Sequence, residues 1–243
     1  MQKEKENWFT SWFDTPYYPI LYKDRDTEEA KFFMKNITKF LQMKKGQTIL
    51  DLACGRGRHS VSLNELGYDV TGVDLSPESI LYAKAFEKET LHFEVHDMCK
   101  PYYKKFDAVF NLFTSFGYFD KEEDNFRTIA AIKANLKDDG KAVIDFMNVH
   151  YVIKNLVEKE IKTVNKIKFH IHRYVKDGYI FKDISFTDNK EEFLFTERVK
   201  TLTTEDFIVY FQKAGIELLH TFGDYHLEPF KLENSPRLIL IFK

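Results

Sequence analysis

Four short clusters in this chain hold residue types suited to gripping a nucleoside, and each follows an apolar run. The first is Asp51-Leu52-Ala53-Cys54-Gly55-Arg56-Gly57. Its glycines permit a tight turn and let a ligand come close to backbone N–H groups at the start of a helix. The second is Asp74, followed by Leu75, Ser76 and Pro77. Two carboxylate oxygens there suit the two hydroxyls of a ribose. The third, His96-Asp97-Met98, joins a carboxylate that can accept from an exocyclic amine to a thioether that can lie against an aromatic base. The fourth is Asn111-Leu112-Phe113. Together they describe a site for an adenosine-containing molecule.

Such clusters need elements to bring them together, and the pattern from about Asp26 to Asn148 supplies them by alternating helix and strand. Asp26 or Thr27 can cap a helix whose Ala30, Phe33, Met34, Ile37, Phe40 and Leu41 fall on one face. Strands are predicted at 48–53, 69–73, 91–95, 108–112 and 142–146, with helices from about His59 to Gly67, from the Ser76 cap and Pro77, and from about Glu122 to Leu136. Strict alternation implies an α/β fold with a doubly wound, mostly parallel sheet, whose ligands bind at the carboxyl ends of the strands. After Tyr151 the texture changes. Runs at 168–175, 179–186 and 192–202, separated by Asp177-Gly178 and by residues 187–190, predict a three-stranded antiparallel insert. A helix at 203–214 closed by Gly215 and strands at 216–222 and 237–242 then complete a seven-stranded sheet. The expected organisation is one domain over 1–243: an N-terminal aromatic flap at 1–25, a cofactor-binding core at 26–150, the insert or lid at 166–202, and the last helix and strands at 203–243.

The nature of the nucleoside follows from the first cluster. A dinucleotide site wants G-x-G-x-x-G, but the third glycine position is Ser60, and Asp51 stands four residues before Gly55. An anion there repels a pyrophosphate and welcomes a cationic amine, which favours S-adenosylmethionine. In these residues the chain resembles the class I S-adenosylmethionine-dependent methyltransferases, over roughly residues 26–148 and the two terminal strands. The resemblance implies a Rossmann-like methyltransferase fold. It implies that Asp51, Ala53, Cys54, Gly55, Arg56 and Gly57 surround the methionine part of the cofactor, and that Asp74, Leu75 and Ser76 hold the ribose and flank the adenine. Asp97 and Met98 would bind the adenine edge, with Asn111 and Leu112 close to the methyl group. Ala53 stands where the family most often has glycine, a mild departure.

Composition narrows the acceptor only coarsely. With 36 Lys and Arg against 38 Asp and Glu, the net charge of -2 shows no global basic footprint for nucleic acid. The strand-four loop also lacks the pair of prolines carried by amino-methylating nucleic-acid enzymes of the class. Its Thr-Ser-Phe-Gly-Tyr run, 114–118, is similar to the corresponding loop of small-molecule N-methyltransferases, including those acting on amino sugars. Two cysteines, Cys54 and Cys99, are too few for a disulfide framework or a cysteine-rich zinc site, and His170 with His172 lacks a third metal ligand, so no metal is expected. No apolar run suits a membrane span and the N-terminus lacks an apolar leader, which predicts a cytoplasmic protein with no membrane partner.

Methyl transfer from a sulfonium is an in-line displacement, so alignment, water exclusion and a free lone pair on the acceptor matter more than a nucleophilic triad. The expected actors are Tyr18 or Tyr22 from the aromatic segment Trp8–Tyr18 and its continuation, closing over the cofactor, Tyr118 opposite them, and His150 after strand five as a base. The reading is therefore a methyltransferase acting on a nitrogen or oxygen of a small molecule. An RNA or protein methyltransferase, a non-catalytic S-adenosylmethionine-binding protein and an NAD-dependent oxidoreductase are its rivals. The insert reads as an acceptor lid or a dimer surface, and the second role would make the protein a homodimer.

Overall fold

The computed structural model describes residues 12–23 and 27–243. Asp26, one of the two expected helix caps, and Trp8 to Ser11 of the aromatic segment lie outside the described residues. The chain divides into two units, one made of the residues up to Arg25 with Val152–Thr201, the other of Asp26–Tyr151 with Leu202–Lys243.

In chain order the elements are α1 (Tyr17–Leu21), α2 (Thr27–Phe40), β1 (Thr48–Leu52), α3 (Arg58–Glu65), β2 (Asp69–Asp74), α4 (Pro77–Ala83), β3 (Leu91–Val95) and β4 (Phe106–Asn111). They continue with α5 (Glu122–Ala134), β5 (Leu136–Met147), α6 (Val149–Lys154), β6 (Lys159–Val164), β7 (Ile167–Lys176), β8 (Tyr179–Asp188), β9 (Glu191–Lys200), α7 (Thr204–Ala214), β10 (Leu218–Phe222) and β11 (Arg237–Phe242). The larger unit holds a seven-stranded sheet in the order β10-β11-β5-β4-β1-β2-β3. All its pairs are parallel except those of β11, which runs antiparallel to both β5 and β10. The strand order reverses between β1 and β4, which places a ligand crevice at their carboxyl ends.

Local chemistry explains the elements. Strands buried on both faces read as apolar runs, as in residues 238–242 of β11, and in β1 the run is broken by Asp51. On α2, Ala30, Phe33, Met34 and Ile37 are fully buried, and the last three join Ile49, Val70, Phe110 and Ile239 in one core cluster. Each such large side chain contributes about 1.5–3 kcal/mol by leaving water. Phe40, expected on the same face, is instead exposed to 38% and meets His220 and Phe222 edge-on. Ser76 caps α4 by accepting from the Ser79 N–H, with Pro77 at the first helical position. Thr203 and Asp206 form a reciprocal capping box at α7, which Gly215 closes in the left-handed region. Strand β5 begins at Leu136 rather than Ala142, because the chain leaves α5 directly into an irregular pairing with β4 that shifts register between Phe106 and Ala108.

The smaller unit holds an antiparallel sheet in the order β6-β7-β8-β9, four strands rather than the expected three. The extra strand, KEIKTV, is a charged edge strand whose residues are mostly exposed, so it lacks the alternation that marks its neighbours. Three two-residue turns, Asn165-Lys166, Asp177-Gly178 and Asn189-Lys190, have positive φ at both positions, the geometry that matches the twist of hairpin strands. Ile167, Phe169 and Ile171 face a core with Trp12, Leu21, Ile184 and Phe186, while Lys168, His170 and His172 share the exposed face. Among the described residues no group of three or more His, Cys, Asp or Glu is placed to hold a metal, and no helix is long and apolar enough to cross a membrane.

Candidate functional site

The loop after β1 is shaped by left-handed backbone at Ala53 (φ 57°), Gly55 (φ 55°) and Gly57 (φ 82°). Gly57 has a second constraint, since a Cβ there would stand 2.7 Å from the Phe93 ring. Gly55 donates its N–H to Asp74 Oδ2 at 2.8 Å, and Ser76 donates its N–H to Asp74 Oδ1 at 2.9 Å. The ends of β1 and β2 are thereby tied to one another through a single carboxylate, whose remaining lone pairs can accept from a diol. Leu75 beside it is 41% exposed, an apolar side chain left at the rim. Arg56 is exposed and stacks on Tyr82, its Cζ 4.8 Å from the ring centroid.

Asp51 is buried in β1 and accepts from Ser60 Oγ at 2.6 Å. Burial pushes its carboxyl up to about 7, against the lowering effect of the Ser60 hydrogen bond. Ser60 stands at the third position of the glycine pattern, so the residue that spoils a dinucleotide motif is the one that holds this acid. Cys54 is buried, its thiol driven well above the ordinary range by burial and then by Asp51 and Asp74, which leaves it inert as a nucleophile.

The next strand ends continue the row. Asp97 accepts the Cys99 N–H at 2.9 Å, lies 3.8 Å from Lys100 Nζ, and precedes a half-buried Met98. Asn111, fully buried at the end of β4, donates to the Leu52 carbonyl at 3.1 Å and contacts Met98 Sδ at 3.8 Å. Its Oδ1 has no hydrogen-bond partner among the described residues. Leu112 is a core side chain whose carbonyl accepts from Ser115 Oγ.

Beyond Leu112 the backbone turns left-handed at two consecutive bulky residues, Phe113 (φ 56°) and Thr114 (φ 61°), a conformation costing about 1–2 kcal/mol at each. Asp145, fully buried in β5, accepts the Phe113 N–H at 2.9 Å and the Tyr225 hydroxyl at 3.2 Å through Oδ2, and Arg237 Nε at 2.7 Å through Oδ1. The Asp145 carbonyl accepts the Thr114 N–H at 2.9 Å, and Arg237 Nη2 donates to Thr114 Oγ1, also at 2.9 Å. Burial and then Asp145 raise the Tyr225 hydroxyl's pKa. Phe113 stacks on buried His59, with centroids 4.3 Å apart, and Tyr225 stacks on Phe33 at 4.4 Å.

The sequence reading did not anticipate Ser60, Asp145, Arg237 or Tyr225 in this role. Asp145 did leave a signal, a lone acid inside the apolar run Ala142–Phe146, as Asp51 is in β1. Phe116, in the 114–118 run, is fully buried against Phe207 and Tyr210 of α7 and anchors the loop. Tyr118 in the same loop is half-buried. His150 is exposed on α6, its Nε2 3.0 Å from Glu233 Oε1. In the smaller unit, Tyr18 and Tyr22 pack together at 4.8 Å, and the Tyr22 hydroxyl donates to Glu197 at 2.6 Å with Lys182 over its ring.

The acceptor set along β1 and β4 fits a cationic cofactor. A desolvated carboxyl and a buried amide oxygen with no partner among the described residues are both acceptors that a positive, N–H-bearing group would suit.

Comparison with known proteins agrees with this chemistry. The family model described as "Methyltransferase domain" matches residues 43–202. A glycine/sarcosine N-methyltransferase of Aphanothece halophytica is 34% identical over 137 residues, covering 53% of this chain and 49% of that protein. Among solved structures, an S-adenosylmethionine-dependent methyltransferase from Clostridium acetobutylicum superposes with a TM-score of 0.79 at 19% identity, over 93% of this chain and 95% of that one. A sugar N-methyltransferase from Streptoalloteichus does so with a TM-score of 0.72 at 20% identity, over 93% and 91%. Both superpositions speak for the fold alone. The chain spans about half, or less, of the length of the first curated relatives it matches.

Proposed function

The chain belongs to the class I S-adenosylmethionine-dependent methyltransferases, and from that premise we propose that it moves a methyl group to the amine nitrogen of a small molecule. The observation that supports this reading most is the pairing of Asp51, buried and pushed up to about 7, with the unpartnered Asn111 Oδ1 on the adjacent strand. When bound, the cofactor supplies a methyl group on a positively charged sulfur, open to displacement by a lone pair. Asp51 and Asn111 would hold its ammonium end, with Ala53, Cys54, Gly55, Arg56 and Gly57 as the surrounding loop. Asp74 would take the ribose hydroxyls, Leu75 and Ser76 the adenine side, and Asp97 and Met98 the adenine edge, with Leu112 near the methyl group.

On the acceptor side the residues' task is to align a neutral amine and take its proton. Tyr118 is the proposed alignment residue. His150, paired with Glu233 at 3.0 Å, is the proposed proton acceptor. Tyr18 and Tyr22 are proposed to contribute to cofactor affinity. The names of the relatives support nitrogen as the nucleophile, since glycine, sarcosine and sugar amines are what those names give. A cytoplasmic site of action and a homodimeric state go with this reading, to be checked by fractionation and sedimentation.

The test is a calorimetric titration of the full chain with S-adenosylhomocysteine and with NAD, followed by label transfer from methyl-labelled S-adenosylmethionine to glycine, sarcosine and glucosamine. Binding of the first nucleoside alone, with label on an amine, is the expected result. Preference for NAD would overturn the reading. Saturable S-adenosylhomocysteine binding with label on none of these amines would replace it with a non-catalytic or macromolecule-directed protein.

A further inference from the structure

The convergence on Asp145 has more donors than a stabilising ion pair needs. A buried carboxylate and guanidinium repay their own desolvation only when the remaining hydrogen-bonding positions are satisfied, so such a pair is weak grounds for stability and better grounds for a fixed geometry. Here the satisfied positions share a destination. The Phe113 N–H goes to the Asp145 carboxylate, the Thr114 N–H to the Asp145 carbonyl, and the Thr114 hydroxyl to Arg237, so both left-handed residues are gripped from β5 and β11. Phe and Thr have no intrinsic liking for that conformation, and Thr is β-branched. The loop's shape is therefore imposed by its partners. The third member, Tyr225, adds a hydroxyl to the same carboxylate oxygen while its ring stacks on Phe33 and its carbonyl accepts from Asn36 Nδ2 at 2.9 Å, which ties α2 into the same assembly.

We propose that Asp145, Arg237 and Tyr225 are positioning residues for methyl transfer: they hold Phe113 and Thr114 left-handed, so that the turn after β4 presents a fixed wall, the Phe113 ring and the Thr114 backbone, to the acceptor. The proposal rests on the methyltransferase reading above. It assigns these three residues no contact with the reacting atoms. Their effect passes through the backbone of residues 112–115, and the alignment of a nucleophile is sensitive to shifts of that size.

The experiment compares the full-length wild type with Asp145→Asn, Arg237→Lys, Thr114→Gly and the double variant Asp145→Asn/Thr114→Gly. Three readouts are taken: S-adenosylhomocysteine affinity by calorimetry, turnover on whichever of glycine, sarcosine and glucosamine the wild type methylates, and amide exchange of the 112–118 segment. Asp145→Asn is expected to lower turnover by about tenfold to a hundredfold while S-adenosylhomocysteine affinity stays within about threefold. Exchange of residues 112–118 should accelerate, and that of β1 and β2 should not. Because glycine adopts positive φ without strain, the double variant should recover part of both the lost turnover and the lost protection. Arg237→Lys keeps the charge and loses the fork, and should fall between wild type and Asp145→Asn, which preserves a test if the latter folds poorly. Wild-type turnover and exchange in Asp145→Asn, or a double variant no better than the single one, would overturn the proposal. Failure of the wild type to bind S-adenosylhomocysteine would instead sink the parent reading, and exchange would still decide whether the clamp holds the loop.

Discussion

The row of strand ends in the larger unit is built in two different ways. On the β1–β2–β3 side, each group is set by its own neighbours: Asp74 by the N–H groups of Gly55 and Ser76, Asp97 by that of Cys99, Asp51 by a serine nine residues on. On the β4–β5–β11 side, the turn at Phe113 and Thr114 is set by residues 32, 80 and 92 positions apart in their hydrogen-bonded pairs. The first side is built from shorter-range contacts to carboxylates, none spanning more than 19 residues. The second is a tertiary assembly around Asp145, whose carboxylate accepts from Phe113, Tyr225 and Arg237.

That difference can be broken from the local side with the largest effect. Asp51→Asn should weaken S-adenosylhomocysteine binding by about a hundredfold, the worth of a charge-assisted hydrogen bond of roughly 2–3 kcal/mol. The same variant should leave the ligand-free protein no less stable at pH 8, because a buried charge whose desolvation outweighs the help of Ser60 and Arg58 is removed. A loss of stability larger than the loss of binding would show Asp51 to be structural. Gly57→Ala comes next, since it strains a φ of 82° and drives a Cβ to 2.7 Å from Phe93. Thermal unfolding should report about 1–3 kcal/mol of destabilisation, and an unchanged melting temperature would mean the loop relaxes freely.

The pH dependence is smaller and has a definite sign. Asp51 holds its proton up to about 7 in the folded state against an ordinary value of 3.8. The folded state therefore binds more protons between those values, and its contribution to stability is fully present below pH 4 and is lost as pH rises through 7. Asp107 does the opposite. Lowered to about 2 despite some desolvation by its bonds to Lys137 and Thr48, it contributes above pH 4 and loses that contribution as pH falls toward 2. A cationic ligand would pull the Asp51 proton off, so cofactor binding near pH 6.5 should release protons, seen as a buffer-dependent heat that Asp51→Asn abolishes. Buffer-independent heats would remove the acid from the binding site. The smallest effect belongs to the distant side. Tyr225→Phe keeps the ring on Phe33 and removes one hydroxyl, so chemical denaturation should show about 0.5–1.5 kcal/mol and titration no change in S-adenosylhomocysteine affinity. If affinity fell further than in Asp51→Asn, the two sides would not be separable.

The same contrast decides what could be read without coordinates. Asp51 through Gly57 and Asp74-Leu75-Ser76-Pro77 were legible because a glycine turn, a capping serine and a following proline are local statements about φ and hydrogen bonds. The doubly wound, mostly parallel character of the sheet followed from alternation, and the hairpin at Asp177-Gly178 from a dipeptide that suits two positive φ angles. Strand β6 was missed because an exposed, charged edge has no period. The left-handed turn at Phe113 and Thr114 was missed because nothing about a phenylalanine or a threonine announces that backbone, and the residues that impose it, Asp145, Tyr225 and Arg237, are far away in sequence. The burial of Phe116 against α7 was not legible, since an aromatic at a strand's end looks the same in sequence whether it faces a ligand or a helix.

The place of β11 has a consequence for synthesis. It lies inside the sheet between β5 and β10, yet its partners Met147 and Ala142 precede Arg237 and Phe242 by 90 and 100 residues. During translation at about 5–20 residues per second, the edge of β5 stands open for roughly 5–20 s while the antiparallel insert and α7 emerge. An uncovered apolar edge of that kind is a template for pairing with another nascent chain. The polypeptide is thus exposed to misassembly between the synthesis of β5 and that of β11, and a holdase that covers β5 over that interval should raise the yield of native protein more than one acting later.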